Sequence, residues 1–221
     1  MAKLQTARLL LLALCLSGTA LGTPAAVLSA RQSAVQILWA KKGKQHAICS
    51  GAVISLPEGP RVVTAGHCAL EPELIGGTFA ALDAQGHIWP LRLERAAFQW
   101  PQRDYAVFNS AAEYLLPALK VSSRAYVIGS DCYSWSGPAG LNIMLFHGEV
   151  TGQLHTPTDP VGEAADGGMW YSASLLITGG ASGSSVLDEN GDVLGLLVGG
   201  FDLKTKLGGA FFAPLPPPRS D

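Results

Sequence analysis

Charge is scarce in this chain: only 14% of its 221 residues are Asp, Glu, Lys or Arg, and 15 basic against 17 acidic side chains leave a formal net charge of −2. That balance offers no electrostatic grip on nucleic acid or anionic lipid, so no nucleic-acid partner is expected. Long hydrophobic runs are missing as well. No stretch reaches the roughly 18 apolar residues of a spanning helix, so no membrane association is expected once the leader described below is removed. Apart from His46 and Cys49, which share one strand-like run, the histidines and cysteines show no i, i+3 or i, i+4 pairing, and there is no C-x-x-C spacing, which argues against a metal site and leaves no cofactor implied. What is abundant is the opposite: 48% hydrophobic residues, 26 Gly and 14 Pro, the profile of a folded, turn-rich protein.

The start reads as a secretory signal peptide over residues 1–22. Lys3 and Arg8 precede the apolar run Leu9–Leu16, and Ala20 and Gly22 supply small residues at the cleavage positions. Its removal leaves 13 basic against 17 acidic residues, a net charge of −4, and predicts a secreted or periplasmic protein. Leu14, ahead of Cys15, is too large for a lipidation site. Three cysteines then remain, Cys49, Cys68 and Cys132. In an oxidising compartment two should pair. Cys49 lies in a strand-like run and Cys68 follows another, Arg61–Ala65, so a hairpin brings them within reach; Cys132 lies in the polar stretch Gly129–Ser134, reads as loop, and is left over.

Short apolar runs bounded by turn residues recur along the mature chain, with no convincing amphipathic helix between them. The candidate strands are 35–40, 47–55, 61–64, 78–82, 88–93, 105–109, 125–129, 143–152, 170–178, 184–187, 193–198 and 210–213. Asn190-Gly191 sits where a tight hairpin requires positive φ. The runs divide into two sets of about six around Ser110–Lys120, where Ala111–Leu116 is a short helical turn stopped by Pro117. The expected fold is all-β, two packed six-stranded antiparallel β-barrels: a short segment or propeptide at 23–33, a first barrel at 34–115, a second at 116–213, and a Pro-rich tail at 214–221.

Three segments carry chemistry. In Thr64-Ala65-Gly66-His67-Cys68 a histidine ends an apolar strand beside a cysteine, and imidazole is the side chain best matched to moving protons near neutral pH. In Gly179-Gly180-Ala181-Ser182-Gly183 glycines present a serine on a constrained turn, and the amides of Gly180 and Ser182 are bare enough to converge on a developing negative oxygen. A carboxylate must orient the imidazole. Asp104, at the mouth of the run Tyr105–Phe108, is better placed than Asp83 at a hairpin tip or Asp131 in a loop. His46, His87, His147 and His155 read as structural.

These segments, in this order, resemble the three motifs of the chymotrypsin-like serine proteases, and the resemblance spans about residues 36–214. It implies two perpendicular six-stranded barrels with the cleft between them, a Cys49–Cys68 disulfide, and an acyl-enzyme endopeptidase acting on protein or peptide substrates as a monomer. Ser182 would be the nucleophile, His67 the general base and then acid, Asp104 the orienting carboxylate, and Gly180 and Ser182 the oxyanion donors. Leu176 falls at the floor of the substrate pocket and Val198, Gly199 and Gly200 at its wall. With no acid at the floor, an uncharged, small or medium apolar P1 residue is expected. Asp202 stands near the rim.

The chain departs from the resemblance in ways that matter. Ala181 stands where animal digestive relatives carry the Asp that pairs with a new N-terminus, and residues 33–38 lack the Ile-Val-Gly-Gly start. The expectation is an enzyme that needs no N-terminal activation cleavage and holds its oxyanion loop by local packing. Ser184 and Ser185 replace the usual glycine and proline after the nucleophile turn. The competing reading is a catalytically silent protease-like binding module.

Overall fold

The computed structural model describes residues 22–70, 76–99, 103–124, 126–155, 169–175, 178–200, 209–213 and 215. Residues 1–21 of the proposed 1–22 leader, Leu176, Asp202 and the tail beyond 215 lie outside the described residues. Twelve strands are described. β1 (Ala34–Lys41), β2 (Lys44–Leu56), β3 (Gly59–Thr64), β4 (Thr78–Asp83), β5 (Ile88–Gln99) and β6 (Arg103–Asn109) close into a barrel in the order β1-β2-β3-β6-β5-β4. β7 (Asp131–Ser136), β8 (Met144–His155), β9 (Met169–Ala173), β10 (Ser185–Leu187), β11 (Val193–Gly200) and β12 (Ala210–Ala213) close a second in the order β10-β11-β12-β9-β8-β7. Neighbouring strands run antiparallel throughout. The expected double barrel is what forms. Closure leaves neither sheet an open edge, the solution available to a chain with many β-branched and few charged residues.

Ile37, Val53, Val62 and Phe108 are fully buried in the first barrel, Val186, Leu196, Leu197 and Phe212 in the second. The seventh strand is displaced from its expected place. Residues 126–130 are turns and coil, and Asp131–Ser136 is a strand paired with both β8 and β10. Its buried serines imitate loop composition, yet Ser134 lies between two neighbours, Phe146 of β8 and Val186 of β10, and Ser136 is paired with Met144 of β8. Cys132 is therefore a buried, free strand cysteine and not a loop thiol. At the β10–β11 turn only Gly191 has positive φ (74°); Asn190 does not, because the Asp188 carboxylate accepts from the amides of Asn190 and Asp192 and shapes a wider turn.

Helices are short. α1 (Ala25–Ser29) and the 3₁₀ turn Ala30–Ser33 precede β1, α2 (His67–Leu70) follows β3, and α3 (Ala112–Leu115) opens the link between the barrels. That link laces the barrels together: Leu119 exchanges backbone hydrogen bonds with Val53 and Ser55 of β2, and Lys120 and Ser122 with Val193 of β11. No helix among the described residues is long and apolar enough to cross a membrane.

Candidate active site

β3 ends at Thr64, and the chain turns at Ala65-Gly66 into α2, whose first residue is His67. The turn passes so close to β5 and β6 that a Cβ on Gly66 would lie 2.0 Å from the Ala97 carbonyl oxygen and 2.9 Å from the Tyr105 amide. Only glycine fits. Asp104, the second residue of β6, is 2% exposed and meets His67 twice: its Oδ1 accepts from the His67 backbone N–H at 2.9 Å and its Oδ2 lies 2.8 Å from Nδ1. A buried carboxylate so bonded directs the Nδ1 proton toward itself and leaves Nε2 free to accept one. Cys68 is bonded to Cys49 of β2 with 6.2 Å between their Cα atoms, which pins α2 to the barrel. Both sulfurs lie within 4.8 Å of a His67 ring nitrogen, but as a disulfide they are not thiolate ligands. Phe98 packs a half-exposed ring 5.9 Å from the imidazole.

Ser182 lies on the turn that leads into β10 and is half-buried. The first barrel holds that turn directly. The Ser50 amide of β2 donates to the Ser182 carbonyl at 2.8 Å, and Gly183, at φ +83°, packs so tightly that a Cβ there would sit 1.9 Å from Thr64 Oγ1 and 2.6 Å from the Ala65 amide. The serine is thus carried to the strand end that bears His67. Among the described residues its hydroxyl makes no hydrogen bond, with His67 or with any other group. The amides of Gly180 and Ser182 likewise donate to no acceptor among the described residues, whereas those of Ala181 and Gly183 are bonded to the Thr178 and Leu197 carbonyls. Ala181 is fully buried against the second barrel's core.

Of the pocket residues, Val198 is buried on β11 at a register shift, with Gly199 and Gly200 beside it paired to Phe211 and Ala210. A cavity of about 640 Å³ opens elsewhere on the second barrel, around Tyr126, Val150, Asp188 and Leu194, and none of the site residues lines it. The competing carboxylates have other partners. Asp83 bonds His87, Trp89 and the amides of Gln85 and His87, and Asp131 bonds His147, whose ring stacks on Tyr133. His46 lies against Trp39, and the His155 side chain is outside the described residues.

With this geometry in view, residues 49–196 match the family model of the trypsin-like peptidase domain. The chain belongs to the trypsin-like peptidase family. It is a serine-type peptidase. Among solved structures, this peptidase is similar to the Rv3671c protease of M. tuberculosis in its active form (TM-score 0.67, 21% identity, 89% of this chain and 82% of that chain). It is also similar to the inactive form of that protease (TM-score 0.66, 20% identity, 89% and 90%). A third likeness is to the serine endoprotease from Yersinia pestis (TM-score 0.64, 19% identity, 86% of this chain and 61% of that one). At these identities the likeness is one of fold. No curated protein sequence matches the chain.

Sequence reasoning passed over one residue in this peptidase's site. Ser50 is fully buried, and both its backbone and its hydroxyl contact the turn of Ser182. The only local signal was its place next to Cys49, because its partners lie 87 and 130 residues away along the chain.

Proposed function

We propose that this chain is an exported serine endopeptidase that cleaves peptide bonds through an acyl-enzyme on Ser182, with His67 as general base and Asp104 as its orienting carboxylate. The observation that carries the reading is the two-point hold of Asp104 on His67, 2.9 Å to the backbone N–H and 2.8 Å to Nδ1, beside a turn that presents Ser182 with its own amide and that of Gly180 bonded to no acceptor among the described residues. Ser182 Oγ attacks the substrate carbonyl while Nε2 of His67 takes its proton. The oxyanion that forms accepts from the N–H groups of Gly180 and Ser182. His67 then gives its proton to the leaving amine, the acyl-enzyme remains, and a water deprotonated by the same nitrogen releases the acid.

Wild-type protein should react with a fluorophosphonate at one serine and hydrolyse peptides. Ser182→Ala should abolish labelling and lower kcat by about four to six orders of magnitude. A wild type that folds but neither labels nor cleaves would support the silent binding module instead.

The pocket favours an uncharged P1 side chain. Apolar Val198 and two glycines form the wall, and a cationic side chain would find no carboxylate among them. Faster cleavage after Arg than after Ala, Val or Leu would refute this. Residues 23–33 stay on the mature protein, and no activating cut is required. A signal-processed enzyme that is inactive until cut near Arg31 would show otherwise. The leader directs the protein to the periplasm or the medium, where it acts as a monomer; fractionation of cells and light scattering test both.

A further inference from the structure

We propose that the buried hydroxyl of Ser50 is a positioning group that aims the oxyanion amides, acting from the first barrel in place of the charged latch that Ala181 lacks. The inference rests on the reading of Ser182 as nucleophile and adds the device that holds its turn.

A peptide unit is planar and trans, so fixing its carbonyl oxygen fixes the direction of the N–H on the next residue. Every carbonyl from Gly179 to Ser182 is fixed. Gly179 O accepts from the Ala139 amide at 2.6 Å, which turns the Gly180 N–H the opposite way. Gly180 O accepts from Ser50 Oγ at 2.8 Å, and the N–H of the same peptide, on Ala181, bonds Thr178 O. Ala181 O accepts from the Ser184 amide at 3.2 Å, which directs the Ser182 N–H outward, and Ser182 O accepts from the Ser50 amide at 2.8 Å. The two N–H groups left over are those of Gly180 and Ser182, the pair the chemistry needs.

Ser50 supplies two of these four ties and underwrites a third. Its oxygen also accepts from the Gly137 N–H at 2.9 Å, securing the turn Gly137–Leu141 in which Ala139 sits. Ala139 has φ +52°, a left-handed conformation that is unfavourable for a residue with a Cβ and persists only where its surroundings demand it. Those surroundings come from the first barrel: Ser50 of β2 at one end of the turn, and the buried Gln36 of β1, whose Nε2 donates to Leu141 O at 2.5 Å, at the other. With an apolar side chain at position 50, the Gly180 carbonyl and the buried Gly137 amide would both lose their partner. The Gly180–Ala181 peptide would then be held at its N–H end alone, by Thr178 O, and the amides beside it would lose their aim.

The test compares wild type, Ser50→Ala, Ser50→Thr and Gln36→Met in full signal-processed protein, with active sites counted by fluorophosphonate titration and folding checked by thermal melts. Per titrated site, Ser50→Ala should lose about 10- to 100-fold in kcat with KM within about threefold, below the full loss of an oxyanion donor. A peptide boronate, which places a tetrahedral oxygen in the hole, should lose affinity by the same factor, while a product peptide should not. Ser50→Thr keeps the oxygen and should recover most of the loss; Gln36→Met leaves Ser50 in place, should shift kcat the same way, and decides the matter if Ser50→Ala does not fold. Folded variants with kcat per site and boronate affinity within twofold of wild type would overturn the inference. A wild type without Ser182-dependent turnover would overturn the protease reading itself, which is a separate result.

Discussion

The two oxygens of the Asp104 carboxylate hold His67 by backbone and by ring at once, so one side chain sets where the imidazole sits and which nitrogen carries its proton. An amide of the same shape keeps the first function and inverts the second. In Asp104→Asn the side-chain NH₂ turned toward the ring favours Nδ1 as acceptor, puts the proton on Nε2 and removes the base. kcat should fall about 10⁴-fold with little change in melting temperature, as steady-state kinetics and a thermal melt would show. Cys132 makes the opposite case, a reactive group kept inert. Burial, with Asp131 and Glu149 nearby, pushes its thiol up to about 12, and it is fully enclosed. Iodoacetamide at pH 8 should therefore leave Cys132 unmodified in the native protein and alkylate it only after unfolding.

Among the elements, the β4–β5 hairpin is organised by one carboxylate. Burial works to raise the Asp83 carboxyl, but donors on Trp89, His87 and Gln85 together outweigh it and hold it below the ordinary carboxylate value. A depressed group stabilises the fold above its unfolded pKa, and that contribution disappears as pH falls through the lower folded value. The hairpin should thus loosen below about pH 4, and Asp83→Ala should remove this acid sensitivity while costing about 1–3 kcal/mol at pH 7, read from urea melts at both pH values. The disulfide acts on a neighbouring pair of elements. It closes a 19-residue separation between β2 and α2, and Cys49→Ala with Cys68→Ala should lower stability by about 3 kcal/mol.

The sequence made these features legible to different degrees. Thr64–Cys68 and Asp104 were readable because short-range chemistry, a glycine turn beside a histidine and a carboxylate opening an apolar strand, specifies them locally. β7 was hidden because the polar stretch Gly129–Ser134 satisfies a loop pattern, and the burial of Ser134 depends on β8 and β10. Ser50 was hidden for the same reason: a serine in a strand becomes a positioning group only through Gly137 and Gly180, which fold onto it from the other barrel.

At the scale of the whole molecule, the barrels are joined by the central link and by the segment ahead of β1. Val27 of α1 is fully buried, its carbonyl accepts from the Trp135 indole N–H at 2.7 Å, and the Arg31 guanidinium lies 5.9 Å from the same ring. Gly191 of the β10–β11 turn packs against Ala26. A segment that leads into the first barrel is thus docked on the second, on the strand that runs into the Gly137–Leu141 turn. Deleting residues 23–33 would expose the site of one buried Val, about 1.5–3 kcal/mol, and strand one indole donor, about 1–3 kcal/mol. Against a total stability on the order of 5–15 kcal/mol, the truncated protein should melt roughly 10 °C lower. It should also lose kcat per titrated site, because Trp135 lies two residues before Gly137 and its loosening reaches the amides through the same turn. A dispensable propeptide would leave both quantities unchanged, so one melt and one active-site titration on the truncated protein decide whether this segment belongs to the working enzyme.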